Sequence, residues 1–278
     1  MRSFALAASL AAALTLPSAC AAEDPDWRTL DPENLLVIDT SKGRIIVELR
    51  PDLAPRAVER IKQLTREGVY DGLQFHRVID GFVAQTGNPD NKDGGVSAHP
   101  NLPPEFSGRL PPDSGYVAIV TRSDGTAGFL GTLPVETVSA AEDARRAQGT
   151  TETWGAFCPG VVGMGRGDSY DSANSEFFFM RGAARRLDRL YTAFGMTVSG
   201  LEIVFALNTG EPPAQPDTMT SVRIAADLPD DERPVVKANR PASVDFLSYV
   251  GAIRGLKRAD FSICDVRVGV HIDGEDAP

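Results

Sequence analysis

Arg77 stands in the run Phe75-His76-Arg77-Val78-Ile79. On a strand its side chain shares a face with Phe75 and Ile79, while His76 and Val78 turn to the other side. A guanidinium stays charged at every physiological pH and presents a rigid fork of donors, so an arginine among apolar neighbours suits fixed electrostatic stabilisation of charge that develops during a reaction. Other chemistries lack their residues. His76, His99 and His271 lie far apart, with no ligand spacing to Cys158 or Cys264, so no metal site is expected. Asp90, Asn91 and Asp93 beside Gly94 miss the alternate-position spacing and closing glutamate of a calcium loop, and read as a polar turn. Gly160, Gly163, Gly165 and Gly167 lack the dinucleotide spacing, and no phosphate-loop lysine accompanies them. Arg166, Gly167, Asp168 and Ser169 spell an adhesion-like motif that is assigned to chance.

The elements that must hold Arg77 are legible around it. Apolar and β-branched runs at 35–39 and 44–49, split by a Thr-Ser-Lys-Gly turn, predict a hairpin. Pro55 opens an amphipathic helix marked by Val58, Ile61, Leu64 and Thr65, which Gly68 closes. Strands are expected at 73–79 and 82–86, broken by Asp80 and Gly81. This order of short-linked strands points to an antiparallel sheet with a few packed helices. Residues 87–115 read as loop, 116–122 as strand, and 140–147 as a short helix. Strands follow at 161–164 and around Phe177, Phe178 and Phe179, then a polar loop over 181–189, a strand at 191–198, a short helix at 201–207 and a strand at 221–225. Beyond Pro229 the composition shifts. Val244, Leu247, Val250 and Ile253 then mark one helical face, and Val266, Val268, Val270 and Ile272 alternate with polar residues as a half-buried strand whose apolar parity Cys264 shares.

Composition narrows the setting. The 278 residues carry 28 basic and 38 acidic side chains, a net charge of −10. Met1 and Arg2, an apolar run over 4–16 and small residues over 18–22 predict a secretory signal over 1–22. Without Arg2, 27 basic residues face 38 acidic ones, and the charge of −11 argues against nucleic acid as a partner. No later stretch reaches the ~20 apolar residues of a membrane span. Cys20 offers a second reading, a lipid anchor, but Pro17 stands where such signals usually carry leucine, so ordinary cleavage after Ala21 or Ala22 is favoured. A periplasmic or secreted protein is expected. In such an oxidising compartment Cys158 and Cys264 can form a disulfide, the alternative being two separate buried thiols.

The segment 75–87, F-H-R-V-I-D-G-F-V-A-Q-T-G, closely resembles the active-site strands of cyclophilins. So do M-G-R at 164–166 with S-A-N-S-E-F-F-F-M at 172–180, and L-D-R-L-Y-T-A-F-G-M-T-V-S-G-L-E-I-V at 187–204. The collinear matches span roughly 35–225, interrupted by extra sequence at about 107–157. The resemblance implies a mainly β fold, a closed antiparallel barrel capped by helices. Its isomerase domain would cover 33–227 with the 107–157 insertion, followed by a helix-strand extension over 228–278.

It also implies peptidyl-prolyl cis/trans isomerisation of Xaa-Pro bonds in envelope proteins, assisting their folding, with proline-containing polypeptides as partners and no cofactor. A non-catalytic proline-peptide-binding or chaperone module on the same fold is the alternative. By the same resemblance Arg77 is catalytic, and Phe82, Val83, Phe178 and Leu187 line the proline pocket. Gln85, Gly165 and Arg166 contact the substrate backbone, and Glu176 and Tyr191 complete the binding set. Read without the resemblance, Phe82, Phe178 and Leu187 are ordinary core residues, and Arg77 a surface ion-pair partner. His76 is expected to be structural, because the reaction transfers no proton. Three departures stand out. Glu176 replaces the family's usual glutamine and leaves pairing with Arg77 or with Arg166 open. Arg186 and Tyr191 replace the tryptophan and histidine of cyclosporin-sensitive members, so weak drug sensitivity is expected.

Overall fold

The computed structural model describes residues 24–146 and 149–274; the expected signal and Cys20 lie outside the described residues. In chain order the elements are β1 (Trp27–Thr29), β2 (Leu35–Thr40), β3 (Gly43–Leu49), α1 (Pro55–Arg66), β4 (Arg77–Ile79), β5 (Val83–Thr86), β6 (Gly108–Leu110), β7 (Tyr116–Arg122), β8 (Gly125–Leu130), β9 (Leu133–Val138), α2 (Ala140–Arg146), β10 (Thr151–Gly155), β11 (Val161–Met164), β12 (Phe177–Met180), β13 (Ala193–Ser199), α3 (Leu201–Ala206), β14 (Met219–Ile224), β15 (Val236–Asn239), α4 (Val244–Lys257) and β16 (Val270–Ile272).

Eight strands form one antiparallel ladder in the order β14-β2-β3-β13-β11-β12-β5-β4. The edges meet where the chain entering β4 crosses the chain entering β14: the Gly72 and Phe75 amides donate to the Met219 and Asp217 carbonyls at 2.7 and 2.9 Å, and the Met219 amide returns 2.8 Å to Leu73. The barrel is therefore closed by isolated bonds and not by a continuous ladder. The reason is that the expected strand 73–79 divides its partners, its first half bonding the β14 side and its second half, from Arg77, bonding β5.

The barrel interior is filled by Leu36, Ile38, Val47, Phe75, Phe177, Phe179 and Phe194, onto which α1 lays Ala57, Val58, Ile61 and Leu64. Each such large apolar side chain contributes about 1.5–3 kcal/mol when fully buried. Ala54 gives α1 no side-chain cap; instead the Glu105 carboxylate accepts from the Arg56 and Ala57 amides at 3.0 and 2.9 Å. At the other end Gly68, with φ +70°, lets its own amide bond Thr65 and the Val69 amide bond Leu64, which satisfies the last carbonyls.

The outward faces of the same strands are buried too. Against them lies a second antiparallel sheet, β6-β10-β9-β8-β7, built from residues 108–155, where extra sequence is expected. The hydrophobic pattern predicts β7 and α2 here but not β6, β8, β9 or β10. Strands such as Gly125-Thr126-Ala127-Gly128 carry glycines whose missing Cβ admits neighbouring backbone: a Cβ at Gly125 or Gly128 would lie 2.0 Å from a carbonyl oxygen. Glu48 on β3 ties the layers together. It accepts from Arg28 of β1 at 2.7 Å, from Arg50 at 3.2 Å, and from the amide and hydroxyl of Thr132 at 3.1 and 2.5 Å.

The end of the chain adds more than the expected helix and strand. β15 pairs with both β1 and β16 in a three-stranded sheet, and α4 sets Phe246 edge-on to Phe129 of β8, with ring centroids 5.4 Å apart. The alternating stretch before β16 enters a ladder from Val270 onward; at 263–265 it is a 3-10 turn capped by Ser262. Val266 and Val268 are nonetheless buried, as their parity predicts. Cys158 and Cys264 are disulfide-bonded, with Cα atoms 5.0 Å apart.

Candidate active site

One register row crosses three strands: Arg77 on β4 faces Gln85 on β5, which faces Phe178 on β12. Alternation sends Val78, Ala84, Phe177 and Phe179 into the barrel, so Arg77, Gln85 and Phe178 emerge together on its outer surface. There they line a cavity of about 460 Å³ with Phe82, Val83, Gly165, Arg166, Glu176, Leu187 and Tyr191. All ten residues assigned to the site from the sequence thus meet in one recess. Asp93, Gly94 and Gly167 line it as well; Asp93 had read as part of a polar turn, and nothing in its local sequence signals otherwise.

Two expectations about neighbours of Arg77 are corrected. Phe75 does not share its face but is buried in the barrel interior against Phe179, and His76 turns toward the pocket side, its Nε2 3.1 Å from Asp93 and 3.4 Å from Glu176. The alternation fails because residues 75 and 76 lie outside the β4 ladder, which begins at Arg77. Glu176 pairs with neither Arg77 nor Arg166. It accepts from Asn88 at 3.0 Å and from Gln85 at 3.3 Å.

Arg77 is held from two sides. Its Nε donates to Glu211 at 2.7 Å and its Nη1 to the Gln85 side-chain amide oxygen at 3.2 Å; Nη2 has no hydrogen-bond partner among the described residues. Glu211 is delivered by a two-way bond between the Gly210 and Val78 backbones, both at 2.8 Å, which seals the outer edge of β4. Gln85 relays in turn: it accepts from Arg77 and donates to Glu176 and to Asp93, the latter at 3.1 Å.

The apolar wall has its own supports. Phe178 is stacked on Phe157, centroids 5.8 Å apart, and edge-on to Tyr191 at 5.8 Å. Gly163 makes this possible, since a Cβ there would meet both Phe157 and Phe178 at 2.8 Å. Arg166 is caged over Tyr191 and Tyr170, 4.4 and 4.8 Å from their ring centres, and donates to the Leu190 and Gly167 carbonyls. Arg186 lies 4.6 Å over the Phe82 ring at the rim.

The described residues of 107–157 line none of the cavity; they brace the 184–191 loop from behind. Phe157 donates to Asp188 at 2.9 Å and accepts from Ala184 at 2.9 Å, Glu136 pairs with Arg185 at 2.9 Å, and Glu152 pairs with Arg189 at 2.8 Å. Burial raises the Asp188 carboxyl above its ordinary range despite the bonds from Arg185 and Phe157.

Residues 35–226 match the model of the cyclophilin type peptidyl-prolyl cis-trans isomerase family, and the chain belongs to that family. A probable peptidyl-prolyl cis-trans isomerase of Brucella suis is 33% identical over 213 residues, covering 71% of this chain and 85% of the relative. Peptidyl-prolyl cis-trans isomerase B of Bacillus subtilis is 29% identical over 182 residues, covering 66% and 91%. Among solved structures, cyclophilin AquaCyp293 from Hirschia baltica superposes with a TM-score of 0.81 at 31% identity, covering 89% of this chain and 93% of that one. Among the described residues no helix is long and apolar enough to cross a membrane.

Proposed function

We propose that, after cleavage of the signal over 1–22, this recess works in the periplasm or outside the cell, where it isomerises Xaa-Pro bonds of envelope proteins and so assists their folding. The catalytic body is then 33–227, with 107–157 and 228–278 as additions to it. The carrying observation is the row Arg77, Gln85, Phe178: a two-point-anchored guanidinium beside an apolar recess.

Rotation about the bond removes amide resonance against a barrier of ~18–20 kcal/mol, with no group transferred and no cofactor needed. As the bond twists, the prolyl nitrogen regains its lone pair, and a donor held in place stabilises that state more than either planar one. Arg77 offers Nη2 for this, while Glu211 and Gln85 keep the fork from reorganising. Phe82, Val83, Phe178 and Leu187 take the proline ring. Gln85, Gly165 and Arg166 hold the neighbouring peptide groups, with Glu176 fixing the Gln85 amide and Tyr191 the Arg166 plane.

A second reading, a proline-binding module without catalysis, draws on the commitment of the Arg77 Nε to Glu211. An exchange measurement on a short proline peptide, run beside Arg77→Ala, separates the two. Enzyme and variant binding the peptide alike but only the enzyme accelerating exchange supports catalysis; equal exchange with both leaves the binding module.

A further inference from the structure

We propose that His76, Asp93 and Glu176 form a binding site for one divalent transition-metal cation at the floor of the recess. His76 Nε2 lies 3.1 Å from Asp93 Oδ1 and 3.4 Å from Glu176 Oε1, and the three ligand atoms all fall within 4.8 Å of one another. Ligands at the usual zinc distances of about 2.0–2.2 Å in a tetrahedron stand about 3.3 Å apart, so the two nitrogen-oxygen edges already have that length. One imidazole and two carboxylates suit zinc, cobalt or nickel; calcium would ask for six or more oxygens, which these residues do not supply.

The imidazole gives an independent reason. Its side chain is 2% exposed, and two carboxylate oxygens converge on its one inward nitrogen. A neutral ring gives a proton from Nε2 to only one of them, whereas a dication answers both and is balanced by their two charges. Nδ1, buried on the far side, has no partner among the described residues; it carries the ring proton once Nε2 holds the cation. The carboxylates are already steered by outer amides: Asn88 donates to Glu176, and Gln85 to both Glu176 and Asp93. Asp93, whose side chain is 63% exposed, opens the path from solvent. Residues 76, 93 and 176 are joined by the fold alone, which is why no sequence spacing announces them.

The test is calorimetric titration of the untagged, full protein with zinc chloride, repeated with cobalt chloride while its visible absorption is followed. Binding is read without reference to isomerisation, so this proposal and the isomerase reading fail separately. The expected result is one ion per chain, a tetrahedral cobalt spectrum, and affinity that Asp93→Asn and Glu176→Gln each lower by at least about tenfold, the smaller cost even of an outer ligand partner. His99→Gln and His271→Gln leave it unchanged, since these rings sit by Glu67 and Asp273 elsewhere. Absence of binding, affinity untouched by Asp93→Asn, or affinity lost with either control overturns the site. Asp93→Asn, at an exposed position, decides the matter if the Glu176 variant does not fold.

Discussion

At the scale of single residues, the proposed reading divides the work between the anchored arginine and the apolar wall, and mutation tests that division. Arg77→Ala removes a donor whose value is realised in the twisted state, so turnover is expected to fall on the order of 10²–10³-fold while peptide affinity changes little. Arg77→Lys does not restore it, because an ammonium on a flexible stem that bonds Glu211 and Gln85 presents no further donor fixed in the plane of a fork. Phe178→Ala instead strips apolar surface worth about 1.5–3 kcal/mol and weakens peptide binding by roughly 10–100-fold. NMR exchange spectroscopy for the rate and a separate binding titration check both; an Arg77→Ala protein with unchanged turnover would refute the division. The arginine, glutamine and phenylalanines were named through the contiguous motifs of the resemblance, and strand pairing sets Arg77, Gln85 and Phe178 side by side. The partners were not: Glu211 reaches Arg77 through a bond between Gly210 and Val78, and His76 reverses its side where the ladder stops.

At the scale of elements, stability rests on a few links between layers. Glu48 is buried, which by itself would raise its pKa, but the charges of Arg50 and Arg28 and the Thr132 hydroxyl outweigh burial and hold it below the ordinary range. A depressed folded value means the stabilisation is complete above the unfolded glutamate's value of about 4.3 and drains away as pH falls through the folded one. Glu48→Gln is expected to cost on the order of 3 kcal/mol at neutral pH and to flatten the acid limb of a urea-midpoint profile; an unaltered acid limb would contradict this. The disulfide links the end of the insertion to the final segment across 106 positions. Cys264→Ala should lower unfolding free energy by up to about 4.7 kcal/mol in the chain-entropy account, read as a drop in the urea midpoint that reduction of the parent reproduces. Long periodic elements such as α1, β2 and β3 announced themselves; β8, β9 and β10 did not, because their glycines and polar residues are chosen by contact with a neighbouring sheet and not by local pattern.

At the scale of the whole molecule, the central barrel strands β2, β3, β11, β12 and β13 are buried on both faces along most of their length, so the layers that cover them are structural parts of the fold. A chain ending at residue 227 would uncover Phe129, Val198 and the other outward apolar residues that α4 and the last strands now cover. Such a truncation is expected to bind apolar dyes strongly or to aggregate, and a monodisperse, dye-free product would show that the outer layer is dispensable.

The three-stranded sheet at the chain ends has a consequence for connectivity. β15 is flanked by β1 on one side and β16 on the other, pairing Trp27 with Asn239 and Val236 with Ile272. Two strand spacings and a few residues of rise then put the ends of β1 and β16 within roughly 15 Å. From β1 to β16 the described chain is a ring fastened by hydrogen bonds, and cutting a ring elsewhere preserves those contacts. A linker of about six residues between the ends, with a new opening between the exposed Asp230 and Asp231, should yield a circular permutant of the same fold and recess, recognisable by an unchanged circular dichroism spectrum and peptide affinity.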